Sequence, residues 1–162
     1  MAERIKGRFT FRFAAVCFAL SAVFELLNLQ EEAILFGQIV SGVPVAVYHL
    51  VYVTLFAVLT HGLWTGSRWG YRAVWIASVI YTIDRLQMLF VGDALADSLR
   101  RQLAAYPEVL QMTSMDELMH LLTVTTLAFL IGWWAFVAYA WYRRAYFGVG
   151  RTTPAADSSA DS

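Results

Sequence analysis

The chain has 162 residues, of which 59% are hydrophobic and 15% are charged, and its formal net charge at neutral pH is zero. This length predicts one domain, and the composition is typical of an integral membrane protein. The basic residues form no run with interleaved aromatic side chains, which argues against nucleic-acid binding, and the single cysteine, Cys17, excludes disulfide frameworks, CxxC redox motifs and cysteine-based metal sites.

Four apolar segments each approach the roughly 20 residues that a membrane-spanning helix needs. They cover residues 10–29, 43–65, 70–91 and 116–142. The first segment follows a basic N-terminal stretch, as in a signal peptide, but it is long enough to span and no convincing cleavage site follows it, so we expect a retained helix. The predicted fold class is therefore all-α, a four-helix transmembrane bundle within residues 1–147.

Two links connect these spans on the side opposite the termini. Residues 30–42 form a short link with an apolar middle, and residues 93–115 contain a predicted amphipathic helix over 94–105 that Pro107 ends. Its leucines recur at every fourth position, so this helix is expected to lie on the bilayer surface or to cap the bundle. The polar segment 148–162 lacks periodicity, which predicts a disordered tail.

The basic residues are unevenly distributed between the two sides of the predicted bundle. If the four helices alternate in direction, nine lie on the side of both termini and only Arg100 and Arg101 lie on the other. The nine are Arg4, Lys6, Arg8, Arg12, Arg68, Arg72, Arg143, Arg144 and Arg151. The positive-inside rule therefore predicts cytoplasmic termini and a multi-pass protein of a bacterial-type inner (plasma) membrane.

Ionisable side chains occur inside all four predicted spans, where each costs a few kcal/mol or more and is a candidate functional residue. Glu25, His49, Asp84 and His120 each lie about five to seven residues from the outer end of their span. At 1.5 Å per residue, this places all four within one layer roughly 8–10 Å below the outer boundary. Glu117 precedes His120 by three residues and shares its helix face.

Carboxylate and imidazole groups in one buried layer are typical ligands of a divalent metal ion, such as zinc, iron, copper or manganese. The spacing Glu-x-x-His on one helix also occurs in metal sites of helix bundles. The predicted metal ligands are Glu25, His49, Asp84, Glu117 and His120. The corresponding function is metal-dependent redox chemistry, metal handling or proton-coupled chemistry in the outer half of the bundle.

The sequence is also compatible with three different roles for these residues. His49 and His120 lie at equal depth and could ligate one haem, as in a b-type membrane cytochrome. Glu117 could instead complete a helix-capping box that starts at Ser114. The whole polar layer could also serve only helix packing, in an accessory subunit whose partners are the lipid bilayer and further membrane subunits or a second copy. No motif set in the chain identifies a family.

Overall fold

A computed structural model describes residues 7–104 and 113–150. Within these ranges the chain forms five α-helices, one β-hairpin and a short 3-10 helix. The elements are α1 (Arg8–Leu27), β1 (Ala33–Leu35), β2 (Gln38–Val40), α2 (Val43–Thr65), α3 (Arg68–Phe90), α4 (Gly92–Leu103), α5 (Met115–Tyr142) and the 3-10 helix Arg144–Phe147. Residues 105–112, which include the predicted break at Pro107, lie outside the described residues. So does the predicted tail 148–162, apart from residues 148–150.

Helices α1, α2, α3 and α5 are long and apolar enough to cross a membrane. They confirm the four predicted helical segments and the membrane character of the chain, with bounds that agree to within two residues. Large apolar side chains such as Phe24, Ile76 and Ile131 are exposed on the outside of the helices. Such a surface is stable against lipid tails and costly in water. The predicted amphipathic helix is α4, which begins and ends two residues earlier than expected.

The link between α1 and α2 holds a β-hairpin that the sequence pattern did not predict. Strands β1 and β2 pair in an antiparallel register in which Leu35 lies opposite Gln38. Phe36 and Gly37, between the strands, both have positive φ angles of 49° and 80°, the conformation of a two-residue hairpin turn that matches strand twist. The backbone N–H of Phe36 donates to the side-chain oxygen of Gln87 at 2.9 Å, which ties the hairpin to α3.

The two ends of the bundle differ in what they contain. The hairpin lies beside the C-terminal part of α3, and we call this the hairpin end. At the opposite, terminal end, Gly7 before α1 lies beside Tyr139 of α5, and Gly66 after α2 lies beside Tyr146. Burial raises the pKa of the Tyr146 hydroxyl, which keeps it protonated as a donor to the carbonyl oxygen of Leu63 at 2.8 Å.

The apolar core lies toward the terminal end, where α1, α2, α3, α5 and the 3-10 helix meet. Its fully buried members include Phe11, Leu63, Val74, Val137 and Phe147. Helices α2 and α3 approach most closely at two glycines: a Cβ added to Gly62 would lie 2.5 Å from the Cα of Gly70. Only residues without a side chain allow backbones this close, as is common between membrane helices.

Candidate functional site

A short polar contact joins α1 and α2 near the hairpin end. The Nδ1 atom of His49 lies 2.6 Å from the Oε2 atom of Glu25, and the two side chains are 11% and 26% exposed. Hydrogen bonds between charged or partly charged groups are shorter and stronger than neutral ones. This distance is therefore that of a strong imidazole–carboxyl pair, held between two apolar helices.

The second ring nitrogen of His49 has a different environment. Its Nε2 atom is buried and has no hydrogen-bond partner among the described residues. A buried polar atom without a partner costs free energy, and such atoms are uncommon in folded proteins. Because Nδ1 is occupied by Glu25, Nε2 is the atom of this pair that remains open to a proton, a water molecule or a metal ion.

Asp84 of α3 stands in a second hydrogen-bonded group. Its Oδ1 atom accepts from the Tyr48 hydroxyl at 3.0 Å and from the Gln87 amide at 2.9 Å. Its Oδ2 atom lies 3.7 Å from the Nε atom of Arg85 and has no hydrogen-bond partner among the described residues. The Asp84 residue is only 7% exposed. The carboxyl group is thus buried, with one oxygen fully used and the other facing a cation.

Tyr48 brings the two polar groups next to each other, because it precedes His49 in α2. The ring centroids of Tyr48 and His49 are 5.3 Å apart, and Tyr52, one turn further on, lies 5.0 Å from Tyr48. The Tyr52 hydroxyl is buried without a hydrogen-bond partner in the described ranges. We call this set the hairpin-end network. Its members are Glu25, Tyr48, His49, Tyr52, Asp84 and Gln87.

The sequence pattern identified three of the six members of the hairpin-end network, Glu25, His49 and Asp84. It did not identify Gln87 or the two tyrosines as site residues. Tyr48 and Tyr52 are four residues apart, so they share a face of α2. Both tyrosines lie close to His49 in the chain, at the level in the membrane that was predicted for Asp84. Tyrosines, however, are common near the ends of membrane helices as interfacial anchors. Their spacing alone therefore does not distinguish an anchor from a hydrogen-bond donor to a buried carboxyl group.

The two predicted ligands on α5 lie apart from this network. Glu117 is exposed and completes a capping box: its Oε2 atom accepts from the Ser114 backbone N–H at 2.9 Å, while the Ser114 hydroxyl accepts from the Glu117 N–H at 3.2 Å. The capping role of Glu117 is therefore confirmed. His120, one turn further on, is also exposed. Helix packing thus brings Glu25 and His49 together and places Asp84 beside them, without Glu117 or His120.

The potential metal-ligating side chains do not form one compact cluster. In residues 7–104 and 113–150, no three His, Cys, Asp or Glu side chains are close enough together to hold one metal ion. The five-residue metal site therefore stays a prediction, and its only directly paired members are Glu25 and His49.

An apolar cavity of about 660 Å³ lies between α1 and α5, in the size range of ligand sites. Aromatic side chains such as Phe18, Trp133 and Phe136 form much of its lining, together with Ser21, Phe56 and Tyr81. Each of the last three lies one helical turn from a member of the hairpin-end network. The network therefore adjoins an apolar space between α1 and α5 that is open on the side of α5, where Phe129 is exposed.

Comparisons with known proteins identify no relative of this chain. No family model matches it, and neither a curated protein nor a solved structure matches it. Evidence on function therefore comes from the geometry of the site.

Proposed function

We propose that the protein is an integral membrane protein whose hairpin-end network carries out proton-coupled chemistry, with His49 as the group that takes up and releases the proton. The observation that supports this best is the 2.6 Å contact between Glu25 and His49 Nδ1, combined with the buried Nε2 atom, which has no hydrogen-bond partner in the described part of the chain. Imidazole is the side chain whose charge ordinarily changes near neutral pH.

The carboxyl group of Glu25 makes such a proton tolerable inside the bundle. When Nε2 accepts a proton, the imidazolium and the Glu25 carboxylate form an ion pair with no net charge. A neutral pair is far less costly in a low-dielectric environment than an isolated cation, and the short hydrogen bond offsets part of the remaining desolvation. When Nε2 releases the proton, neutral imidazole still donates from Nδ1 to the carboxylate. Both states therefore keep the Glu25–His49 hydrogen bond.

The second polar group supplies further exchangeable protons beside His49. The Tyr48 hydroxyl donates to Asp84 at 3.0 Å. The Tyr52 hydroxyl, one turn further along α2, has no partner among residues 7–104 and 113–150. Hydroxyl groups both donate and accept hydrogen bonds. A water molecule between them and Nε2 would connect Asp84 to His49, and this connection is part of the proposal.

A direct test is a pH titration of the histidine side chains by nitrogen NMR, with ¹⁵N-labelled histidine in the purified protein. The chain has three histidines, so single His49→Gln, His61→Gln and His120→Gln variants assign the signals. We expect the His49 nitrogen signals to change reversibly with pH, and to respond differently in Glu25→Gln. The His61 and His120 signals should be the same in the native protein and in Glu25→Gln. A His49 signal that does not change with pH would refute the proposal.

The same geometry gives a second candidate function, binding of a divalent metal ion. Histidines that ligate a metal usually donate their other ring N–H to a carboxylate, and Glu25 occupies that position toward His49. The first ligands would be the open Nε2 atom of His49 and the Oδ2 atom of Asp84. Glu117 and His120 could reach the same ion only if α5 packed differently or if they came from a second copy of the chain. Elemental analysis of the protein purified from native membranes tests metal binding. A near-stoichiometric metal content that is lost in the His49→Ala variant and kept in the His61→Ala variant would support it.

The same preparation distinguishes a haem protein from an accessory subunit. A Soret band in the visible spectrum supports a haem held by His49 and His120. A large co-purifying assembly with neither metal nor haem supports an accessory subunit, in which the hairpin-end network only fixes helix packing.

The membrane orientation is part of the main proposal: both termini are cytoplasmic, and the membrane is a bacterial-type inner membrane. Reporter fusions that place residue 108 in the cytoplasm would contradict it.

A further inference from the structure

The charged residues of the bundle separate by sign along its length. Six arginines lie at the terminal end, and none of the acidic residues in the described ranges lies there. The six are Arg8, Arg12, Arg68, Arg72, Arg143 and Arg144. Acidic residues in the described ranges occur from Glu25 onwards near the end of α1, in the hairpin link, in the last part of α3, in α4 and in the first turn of α5. The terminal end therefore has a positive potential that attracts anions.

Part of this positive surface is concave. A cavity of about 430 Å³ lies between the first turns of α3 and residues 148–150, and its lining includes Arg68, Tyr71 and Arg72. The Nε atom of Arg144 comes within 3.8 Å of the position of a Cβ on Gly150, a residue of the lining, so a third guanidinium group lies close to this cavity. We call this the arginine pocket. The N-terminus of α3, with its partial positive charge, adds to its potential.

The arginine pocket lies at a level where aromatic side chains mark a membrane interface. Trp69, beside Arg68, and Trp141 and Tyr142, at the end of α5, are exposed, and the guanidinium group of Arg144 lies 5.7 Å from the Trp141 ring centroid. Tryptophan and tyrosine concentrate at the headgroup level of bilayers. A ligand in this pocket would thus have its polar group among lipid headgroups and any acyl chains beside the exposed apolar face of α3.

From these observations we propose that the arginine pocket binds the phosphate of an anionic phospholipid headgroup. Guanidinium groups form paired hydrogen bonds with phosphate oxygens, and Arg68 and Arg72, four residues apart, present two of them on one helix face. Basic pockets between membrane helices are known to select anionic lipids. This site lies at the end of the bundle opposite the hairpin-end network, so the proposal does not depend on the proton-coupled function.

The experiment measures lipid binding to the full chain in detergent by native mass spectrometry. Phosphatidylglycerol, phosphatidylcholine and inorganic phosphate are titrated separately. We expect retention of phosphatidylglycerol but not of phosphatidylcholine, and weak competition by inorganic phosphate. With about fivefold in affinity per basic group, the double variant Arg68→Gln with Arg72→Gln should bind phosphatidylglycerol about 25-fold more weakly.

The chain contains its own control, the basic pair Arg100 and Arg101 near the hairpin end. These residues already contact Asp97 at 2.8 Å and Glu32 at 3.8 Å, so their replacement by glutamine should leave lipid binding unchanged. Equal loss in both double variants would overturn the proposal. So would equal binding of both lipids, or binding of inorganic phosphate as tight as that of the lipid. If the Arg68/Arg72 double variant fails to fold, Arg72→Gln alone must give about a fivefold loss.

Discussion

Replacing Gly62 by alanine should separate α2 from α3. The new Cβ would lie 2.5 Å from the Cα of Gly70, whereas carbon atoms in contact prefer about 3.5–4.0 Å. The atom it meets is backbone, which no side-chain rotation moves aside, so the helices must part by about 1 Å. Overpacking of this kind costs about 1–3 kcal/mol. Alanine also favours a helix over glycine by roughly 0.5–1 kcal/mol. The expected net loss in the free energy of unfolding is the difference between these two effects, about 0–2.5 kcal/mol, with a central value of about 1 kcal/mol.

Gly132 of α5 provides the matched control, because a Cβ added there would have no neighbour within 4 Å among the residues that the structure describes. The only expected effect of Gly132→Ala is therefore the higher helix propensity of alanine, which should stabilise the protein by about 0.5–1 kcal/mol. Reversible unfolding of both variants by denaturant in mild detergent, followed by circular dichroism, gives the two free energies. The stability loss caused by Gly70→Ala should be smaller in the Gly62→Ala background than in the native protein, because the helices have already moved apart. A Gly62→Ala variant as stable as Gly132→Ala would refute the close approach of α2 and α3.

The same unfolding assay tests three further changes. Tyr48→Phe removes the hydroxyl that donates to Asp84 and should cost about 1.5–3 kcal/mol if that carboxyl is ionised; no change would argue against this buried contact. Ser114→Ala removes the cap of α5 and should cost about 1 kcal/mol, with hydrogen exchange accelerated only in the first turn. Tyr146→Phe removes the hydrogen bond to the Leu63 carbonyl and should cost about 1 kcal/mol, and an unchanged stability would mean that water replaces it.

Glu25 and Asp84 have unequal roles in the site despite their similar depth. Glu25 pairs with the imidazole that exchanges the proton in our proposal. Asp84 is instead held by Tyr48 and Gln87 and faces Arg85 across 3.7 Å. Replacing Glu25 should thus affect His49 directly, because it removes the hydrogen-bond partner of Nδ1, whereas replacing Asp84 should act mainly through the position of Tyr48.

Several features of this protein followed from the amino-acid sequence because they depend on local chemistry. The helical spans are set by the length of the apolar segments, since hydrocarbon leaves a backbone no hydrogen-bond partner except its own. The capping box at Ser114 depends on two residues three positions apart. The amphipathic α4 follows from a spacing of four. Even the pairing of Glu25 with His49 was within reach, because equal depth in neighbouring helices restricts the partners available to a buried polar group.

The rest was decided by tertiary packing, since depth along a helix does not determine which way a side chain faces. His120 was predicted at the depth of His49, yet it is exposed on α5 while His49 is buried. Asp84 obtains its hydroxyl donor from Tyr48, a residue 36 positions away, through the contact of α2 with α3. The hairpin turn needs positive φ at Phe36 as well as Gly37, which the identity of a phenylalanine does not predict. These features depend on helix rotation and chain closure, which arise only when the elements pack against one another.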